Sequence, residues 1–151
     1  NKSLDELTKL FGKSGKFYYN IVRGIHHSLV KPNRVRKSIA AERTFSKNIS
    51  SEVFMLERLF TIAEELERRM TKSETKGKTI TLKIKYSDFT QQTRSKTTQN
   101  FMQKKDEIMH IVKELVYQEK FKNSVRLLGI SFSNLDTEKK APVWVQLKLE
   151  F

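Results

Sequence analysis

The side chains of this 151-residue chain that could take part in chemistry are mainly cationic, and they are clustered. Lys and Arg number 30 against 17 Asp and Glu, which gives a formal net charge of +13. Lys31 to Lys47 holds six basic residues and one acid, and Lys76 to Lys105 holds eight and one. The acids gather in segments with helical periodicity. Because a generally basic protein needs no such separation, the pattern favours a basic surface for a polyanion, most commonly nucleic acid.

The same residues argue against several other classes of function. Cys is absent, so disulfides and thiolate metal sites are excluded. No nucleophile–base pair or metal-binding constellation is visible, so an autonomous enzyme is not expected and neither is a cofactor. The chain begins at Asn1 without a signal segment or an apolar run long enough for a bilayer, which predicts a soluble piece of a longer protein.

Six segments are predicted to position the cations, in the order β-α-β-β-α-β. The strands are predicted over 38–45, 79–86, 89–98 and 125–133, and the helices over about 51–70 and 104–120. Two amphipathic helices can cover only one face of a sheet. We therefore predict an α+β fold, a four-stranded antiparallel-type sheet with two helices on one face and a polar, basic opposite face.

Two short helices, near 4–11 and 14–23, precede this domain. The first begins at a capping box formed by Ser3 and Glu6. The turn between the helices, Gly12-Lys-Ser-Gly-Lys16, is predicted to leave amides at a helix N-terminus beside two lysines, which suits a phosphate. A glycine-rich turn with solvated lysines is an equally good interpretation.

The outward positions of the predicted strands are Thr, Ser, Lys, Arg and Gly, without an aromatic pair. RNA-binding modules of similar topology carry aromatic residues on this face to stack bases. Their absence favours contact with the phosphate backbone, which is electrostatic and largely independent of sequence. An RNA-binding module of RRM-like topology is the alternative.

Several short motifs then occur in order along the chain. They are Phe11-Gly-Lys-Ser-Gly15, Arg23-Gly-Ile25, Pro32-Asn-Arg34, Arg36-Lys-Ser-Ile39, Glu42-Arg-Thr-Phe45, Asp88-Phe89, Thr93-Arg-Ser95 and Val125-Arg-Leu-Leu-Gly-Ile130. Together they resemble the C-terminal part of a Y-family translesion DNA polymerase of the bacterial DNA polymerase IV type. The chain differs from some members at Leu127, where they have a second Arg.

The resemblance implies a domain organisation and partners. Residues 1–29 would end the thumb, 30–37 would be a linker, 38–136 the little finger domain and 137–151 a tail. The little finger would grip duplex or primer-template DNA, in a monomeric, cytoplasmic protein. Magnesium is expected only in the palm of the parent protein, which this sequence lacks, so the chain alone should not polymerise DNA.

The residues expected to contact DNA combine the cations with the small residues beside them. They are Gly12, Lys13, Gly15, Lys16, Arg36, Lys37, Ser38, Arg43, Thr44, Lys83, Arg94, Ser95, Lys96, Arg126 and Ser131.

The last segment, Gln146 to Phe151, alternates apolar and polar residues and could be an ordinary final strand. It is also similar to the sliding-clamp-binding peptide that ends many of these polymerases. In such a peptide Leu147, Leu149 and Phe151 would fill an apolar pocket, and Gln146 would fix the orientation by hydrogen bonds.

Overall fold

The predicted order of helices and strands is found in the computed structural model, which describes residues 2–32 and 34–137. The chain divides into two units, Asn1–Arg34 and Val35–Phe151. The first contains α1 (Leu4–Phe11) and α2 (Ser14–Ile21). The capping box is confirmed, because the Glu6 amide donates to Ser3 Oγ at 3.2 Å and the Ser3 amide to the Glu6 carboxylate at 2.7 Å.

The second unit is built on one antiparallel sheet. Its strands are β1 (Ser38–Ile49), β2 (Gly77–Tyr86), β3 (Gln91–Met102) and β4 (Val125–Leu135), and they lie side by side in the order β1-β4-β2-β3. The helices are α3 (Glu52–Lys72) and α4 (Lys105–Tyr117). The α+β prediction is therefore confirmed, with β1 and β3 at the two edges of the sheet.

The core of the second unit lies between the helices and one face of the sheet. Along β2 the residues facing the helices, Ile80, Leu82 and Ile84, are fully buried, while the residues between them are partly exposed. The helices contribute mainly Met55, Leu59, Ile62, Leu66 and Met70 from α3 and Ile108, Val112 and Leu115 from α4. This packing fixes which strand residues face away from the helices.

Two features differ from the sequence-based expectation. The helical periodicity of the sequence predicts Phe60 in the apolar stripe of α3 that faces the core, but Phe60 is 42% exposed and its ring centre lies 4.0 Å from the Lys105 ammonium. The strand β3 begins at Gln91, because residues 87–89 form the turn that precedes it. None of the described helices is long and apolar enough to cross a membrane. The predicted clamp-binding residues Gln146, Leu147, Leu149 and Phe151 lie outside the described residues.

Candidate nucleic-acid interface

The sheet face opposite α3 and α4 is a regular grid, which we call the open face. Strand register aligns its side chains in four rows across β1, β4, β2 and β3. The rows are Ser38–Ser133–Thr79–Thr97, Ala40–Ser131–Thr81–Ser95, Glu42–Gly129–Lys83–Thr93 and Thr44–Leu127–Lys85–Gln91. Of the predicted contact residues, the structure brings Ser38, Thr44, Lys83, Ser95 and Ser131 together on this face.

Small hydroxyl side chains dominate the first two rows of the open face. Thr79 and Thr97 are hydrogen-bonded through their hydroxyls at 2.9 Å, and Thr81 and Ser95 at 2.8 Å. Such short, mutually oriented side chains leave the surface low, so that a phosphate backbone can approach it closely. No aromatic side chain occupies any grid position, which means that base stacking has no platform on the face itself.

The cations of the open face are fewer than the sequence suggested. The grid contains Lys83 and Lys85, and Lys83 Nζ lies 2.9 Å from Glu42 Oε2. The pair neutralises part of the positive charge at the centre of the face. A close approach of nucleic acid must therefore rely on hydroxyl and backbone groups as well as on charge.

Three predicted contact residues lie on the helix-covered side of the sheet instead. Strand register pairs Arg43 with Leu128, Arg94 with Leu82 and Lys96 with Ile80, and all three partners are core residues. Because side chains alternate strictly along a strand, these cations point towards α3 and α4. Their placement on the open face was wrong. Neighbouring cations of one strand lie on opposite faces of the sheet, so a run of basic residues in the sequence does not form one basic surface.

Arg94 shows what such a cation does. It is only 6% exposed, and its guanidinium donates to the carbonyls of Leu115 and Val116 at 2.7 and 2.8 Å. These carbonyls belong to the last turn of α4, which has no intrahelical donors for them. Lys96 forms an ion pair with Glu114 of the same helix. Both residues fasten α4 to β3.

The outer edge of β1 offers main-chain groups to a ligand. Arg69 Nη1 of α3 donates to the Ala40 carbonyl at 2.6 Å, so this carbonyl points away from β4. In an antiparallel strand the N–H and C=O of a residue point to the same side, and every second residue repeats that direction. The amides of Ser38, Ala40 and Thr44 therefore face the free edge, and each of these residues has a small side chain on the open face.

A cationic cleft adjoins the beginning of this edge. Its volume is about 500 Å³, and it is lined by Arg36, Ser38, Ile39, Ala40, Arg69, Lys72 and Ser73. Arg36 had been predicted as a contact from sequence, and Lys37, which is exposed, follows it. Arg69 and Lys72 were not predicted, because they belong to a helix whose other charges are mixed. Arg36 and Lys72 beside outward-facing strand amides suit a phosphate group, whereas Arg69 is paired with Glu65 at 2.8 Å.

In the first unit, two amides of the turn from Gly12 to Lys16 are hydrogen-bonded to backbone carbonyls of the same unit. The Gly12 amide donates to the Thr8 carbonyl and the Gly15 amide to the Gly12 carbonyl, both at 2.9 Å. A Cβ on Gly15 would come within 2.5 Å of the Leu7 backbone, so this glycine allows α1 and α2 to pack closely. The amides of Gly12 and Gly15 are therefore already paired, and the side chains of Lys13 and Lys16 are exposed. That these residues contact DNA stays a prediction.

One corner beside the open face contains an exposed aromatic residue that sequence reasoning missed. Phe89 lies in the turn between β2 and β3, with the Arg126 guanidinium 4.9 Å and the Lys85 ammonium 5.5 Å from its ring centre. The sequence pattern had placed Phe89 at the start of a strand, and no local signal indicated its positive φ of 66°.

The fold and the open face define a small α+β domain with a hydroxyl-rich, weakly basic sheet surface. Residues 36–149 match the impB/mucB/samB family C-terminal domain, and the chain belongs to this family. This match and the relatives described next confirm the resemblance to the C-terminal part of a Y-family DNA polymerase of the DNA polymerase IV type.

The relatives that match most of this chain are DNA polymerases IV. The chain is 37% identical over 147 residues to DNA polymerase IV of Akkermansia muciniphila, covering 97% of this chain and 41% of the relative. It is 42% identical over 144 residues to DNA polymerase IV 2 of Agrobacterium fabrum, covering 93% and 40%. Identity to DNA polymerase IV of Clostridium perfringens is 44% over 132 residues, covering 87% and 37%. The chain thus spans about two fifths of the length of these relatives.

Imidazole and carboxylate side chains are the metal ligands that this Cys-free sequence offers. Within residues 2–32 and 34–137, no three His, Asp or Glu side chains come together in a way that could hold a metal ion.

Proposed function

We propose that this chain is the little finger region of a translesion DNA polymerase and holds primer-template DNA by its phosphate backbone. The observation that carries the proposal is the combination at β1 of outward-facing amides with small side chains at Ser38, Ala40 and Thr44. Amides and hydroxyls donate hydrogen bonds to phosphate oxygens without reading the bases. The absence of aromatic residues from the grid favours this interpretation over base stacking by an RNA-binding module.

Electrostatics supplies the long-range part of the grip. Arg36, Arg69 and Lys72 surround the cleft at one end of β1, and Lys83 and Lys85 lie on the grid. Each phosphate neutralised by a cation releases counterions from the DNA, so affinity falls as salt rises. Binding should therefore depend strongly on salt and little on DNA sequence.

The proposal is tested by titrating labelled primer-template DNA with the 151-residue protein at several salt concentrations. We expect a linear fall of log affinity with log salt, with a slope of about −0.9 for each phosphate contact. Unlabelled single-stranded RNA should compete poorly. Affinity independent of salt, or preference for RNA, would overturn the proposal.

Two lysines provide a matched pair of variants. Lys83 and Lys96 each form an ion pair with a glutamate, but Lys83 lies on the open face and Lys96 on the helix side. Replacing Lys83 by Gln should weaken DNA binding, because it leaves the Glu42 carboxylate unpaired on the surface that phosphates approach, whereas Lys96→Gln should leave DNA affinity unchanged. Equal effects of the two substitutions would show that the open face is not the interface.

The tail is proposed to tether the polymerase to the bacterial sliding clamp. The support is the spacing of Gln146, Leu147, Leu149 and Phe151, which matches an extended peptide with two or three apolar anchors. Replacing Leu147 and Phe151 together by Ala should abolish clamp binding and leave DNA affinity unchanged. If clamp binding survives, the tail has another role.

Catalysis is proposed to belong to the parent protein. The palm, with its magnesium-binding carboxylates, would be found in the part of the relatives' length that this chain does not span. The described residues would contribute by holding the DNA, in a monomer acting in the cytoplasm. Primer extension by the chain alone would contradict this division of labour.

A further inference from the structure

The turn that joins β2 to β3 holds an aromatic residue in a conformation that suits glycine. The Phe89 amide donates to the Tyr86 carbonyl at 3.0 Å, which closes a β-turn, and the Tyr86 amide donates to the Thr90 carbonyl at 2.9 Å. A hairpin loop of this length places its last residue in the left-handed region, where Gly is usual. Phe89 has φ 66° there. For a bulky side chain this conformation is strained.

The Phe89 ring contributes little to the stability of the fold. Phe89 is 62% exposed and is not part of the hydrophobic core. The turn is held by other groups, because Asp88 Oδ1 accepts from the Thr90 amide at 2.9 Å and from the Thr90 hydroxyl at 2.6 Å. The Ser87 amide also donates to the Ser124 carbonyl at 2.9 Å, which ties the turn to β4. An exposed ring kept in a strained position points to a ligand rather than to stability.

The surroundings of the ring indicate what that ligand carries. Arg126 and Lys85 lie within 4.9 and 5.5 Å of the ring centre, and both are partly exposed. Lys85 and Gln91 also end the last row of the open face, so the ring stands at the border of the proposed DNA surface. A flat apolar surface next to two cations fits a nucleotide, whose base stacks on the ring and whose phosphate meets the cations.

We propose that Phe89, with Lys85 and Arg126, binds an unpaired nucleotide of the DNA substrate by stacking on its base. The bases of a duplex are stacked on one another and cannot cover the ring, whereas a single-stranded template overhang presents a free base. The inference rests on the proposed function, since it adds a single-strand site to a surface that holds duplex DNA. It makes the protein distinguish primer-template from blunt duplex.

The test compares a blunt duplex with the same duplex carrying a 5′ overhang that contains 2-aminopurine. The 151-residue protein should bind the overhang substrate about tenfold more tightly than the blunt one and should change the 2-aminopurine fluorescence. Phe89→Gly should lose this preference and the fluorescence change, and keep its affinity for blunt duplex. Phe89→Trp should retain both.

Thermal unfolding of the same variants separates binding from folding. Because glycine relieves the strain at φ 66°, Phe89→Gly should raise the melting temperature by a few degrees. A lowered melting temperature would show that the fold needs the ring, and would overturn the proposal. Phe101 is a matched control, since it is also exposed, at 43%, and lies 4.7 Å from the ammonium of Lys78. Phe101→Ala should leave the overhang preference intact.

The two proposals fail in different ways. If the wild-type protein binds blunt duplex with a steep salt dependence but gains nothing from the overhang, the single-strand site is wrong and the duplex grip stands. If Phe89→Gly keeps the full preference, the site is elsewhere. If neither substrate binds, both proposals are wrong.

Discussion

Lys83 Nζ and Glu42 Oε2 lie 2.9 Å apart across the open face, and Gly129 of β4 lies in the row between them. The side chains are 34% and 49% exposed, and an exposed ion pair of this kind stabilises a fold by only about 0–1 kcal/mol. Its main effect is on charge. The carboxylate neutralises a cation at the centre of the surface that we propose to face DNA.

Removing this carboxylate should strengthen DNA binding. Glu42→Gln releases Lys83 and removes a negative charge that a phosphate must approach. We expect affinity for primer-template DNA to rise about threefold to tenfold at low salt and the salt slope to steepen by about 0.9, which is one additional phosphate contact. Fluorescence anisotropy over a series of salt concentrations measures both quantities.

A charge-matched control is available on α3. Glu57→Gln changes the net charge by the same amount on an exposed helix that covers the other side of the sheet. It should alter affinity far less than Glu42→Gln. An equal gain from both would mean that net charge, and not the open face, determines binding.

We expect the row of the open face that contains Glu42 and Lys83 to require glycine at position 129. A Cβ at this position would lie 2.9 Å from the Glu42 Cβ, which is closer than side chains approach one another. Gly129→Ala should therefore separate β1 from β4 locally and lower the free energy of unfolding by about 1–3 kcal/mol. Urea denaturation measures this loss. Unchanged stability would show that β1 can shift without cost.

Arg94 should matter for stability and not for DNA binding. Arg94→Met leaves the carbonyls of Leu115 and Val116 without their donors, which should cost about 1.5–3 kcal/mol in the free energy of unfolding. DNA affinity, measured below the melting temperature, should stay unchanged. Lys96→Met, on the same strand and side but exposed, should cost much less. A folded Arg94→Met protein with weakened DNA binding would place this guanidinium at the interface after all.

The fold could be predicted from the sequence because the apolar residues of its segments recur with the period of a strand or of a helix. Alternation from Thr79 to Tyr86 determines which face of β2 is buried, and the amphipathic stripes of two helices determine that they share one face of the sheet. The same alternation, applied to β3, puts Arg94 and Lys96 on the helix side. The error therefore came from grouping cations by their closeness in sequence, when a strand separates neighbours onto opposite faces.

The remaining features of the site depend on contacts between distant residues. Arg69 is 29 positions from the carbonyl that it binds, and only the packing of α3 on β1 brings them together. The pairing of Lys83 with Glu42 requires the order β1-β4-β2, which no local pattern specifies. The positive φ of Phe89 follows from the geometry of the hairpin turn, and Phe is not a residue type that predicts a positive φ.

The ionisation of Glu65 makes stability at the outer edge of β1 depend on pH. Arg68 and then Arg69 donate to its carboxylate, at 2.8–2.9 Å, and they lower the pKa of Glu65 to about 2. Arg69 in turn donates to the Ala40 carbonyl on the edge of β1. Because folding lowers the pKa of Glu65, its ionised carboxylate stabilises the folded state. This stabilisation is complete above the ordinary pKa of 4.5 and is lost as the pH falls towards 2.

The expected result is a pH-dependent difference between wild type and Glu65→Gln. The wild type should be the more stable protein from neutral pH down to about pH 5, and the difference should shrink as the pH falls towards 2, because the protonated carboxyl then resembles the amide. Urea denaturation across this range measures the difference. Amide hydrogen exchange should also show faster opening of β1 around Ala40 in the variant, since Arg69 loses the partner that orients it. A difference that persists undiminished at pH 2 would mean that Glu65 acts through its shape and not through its charge.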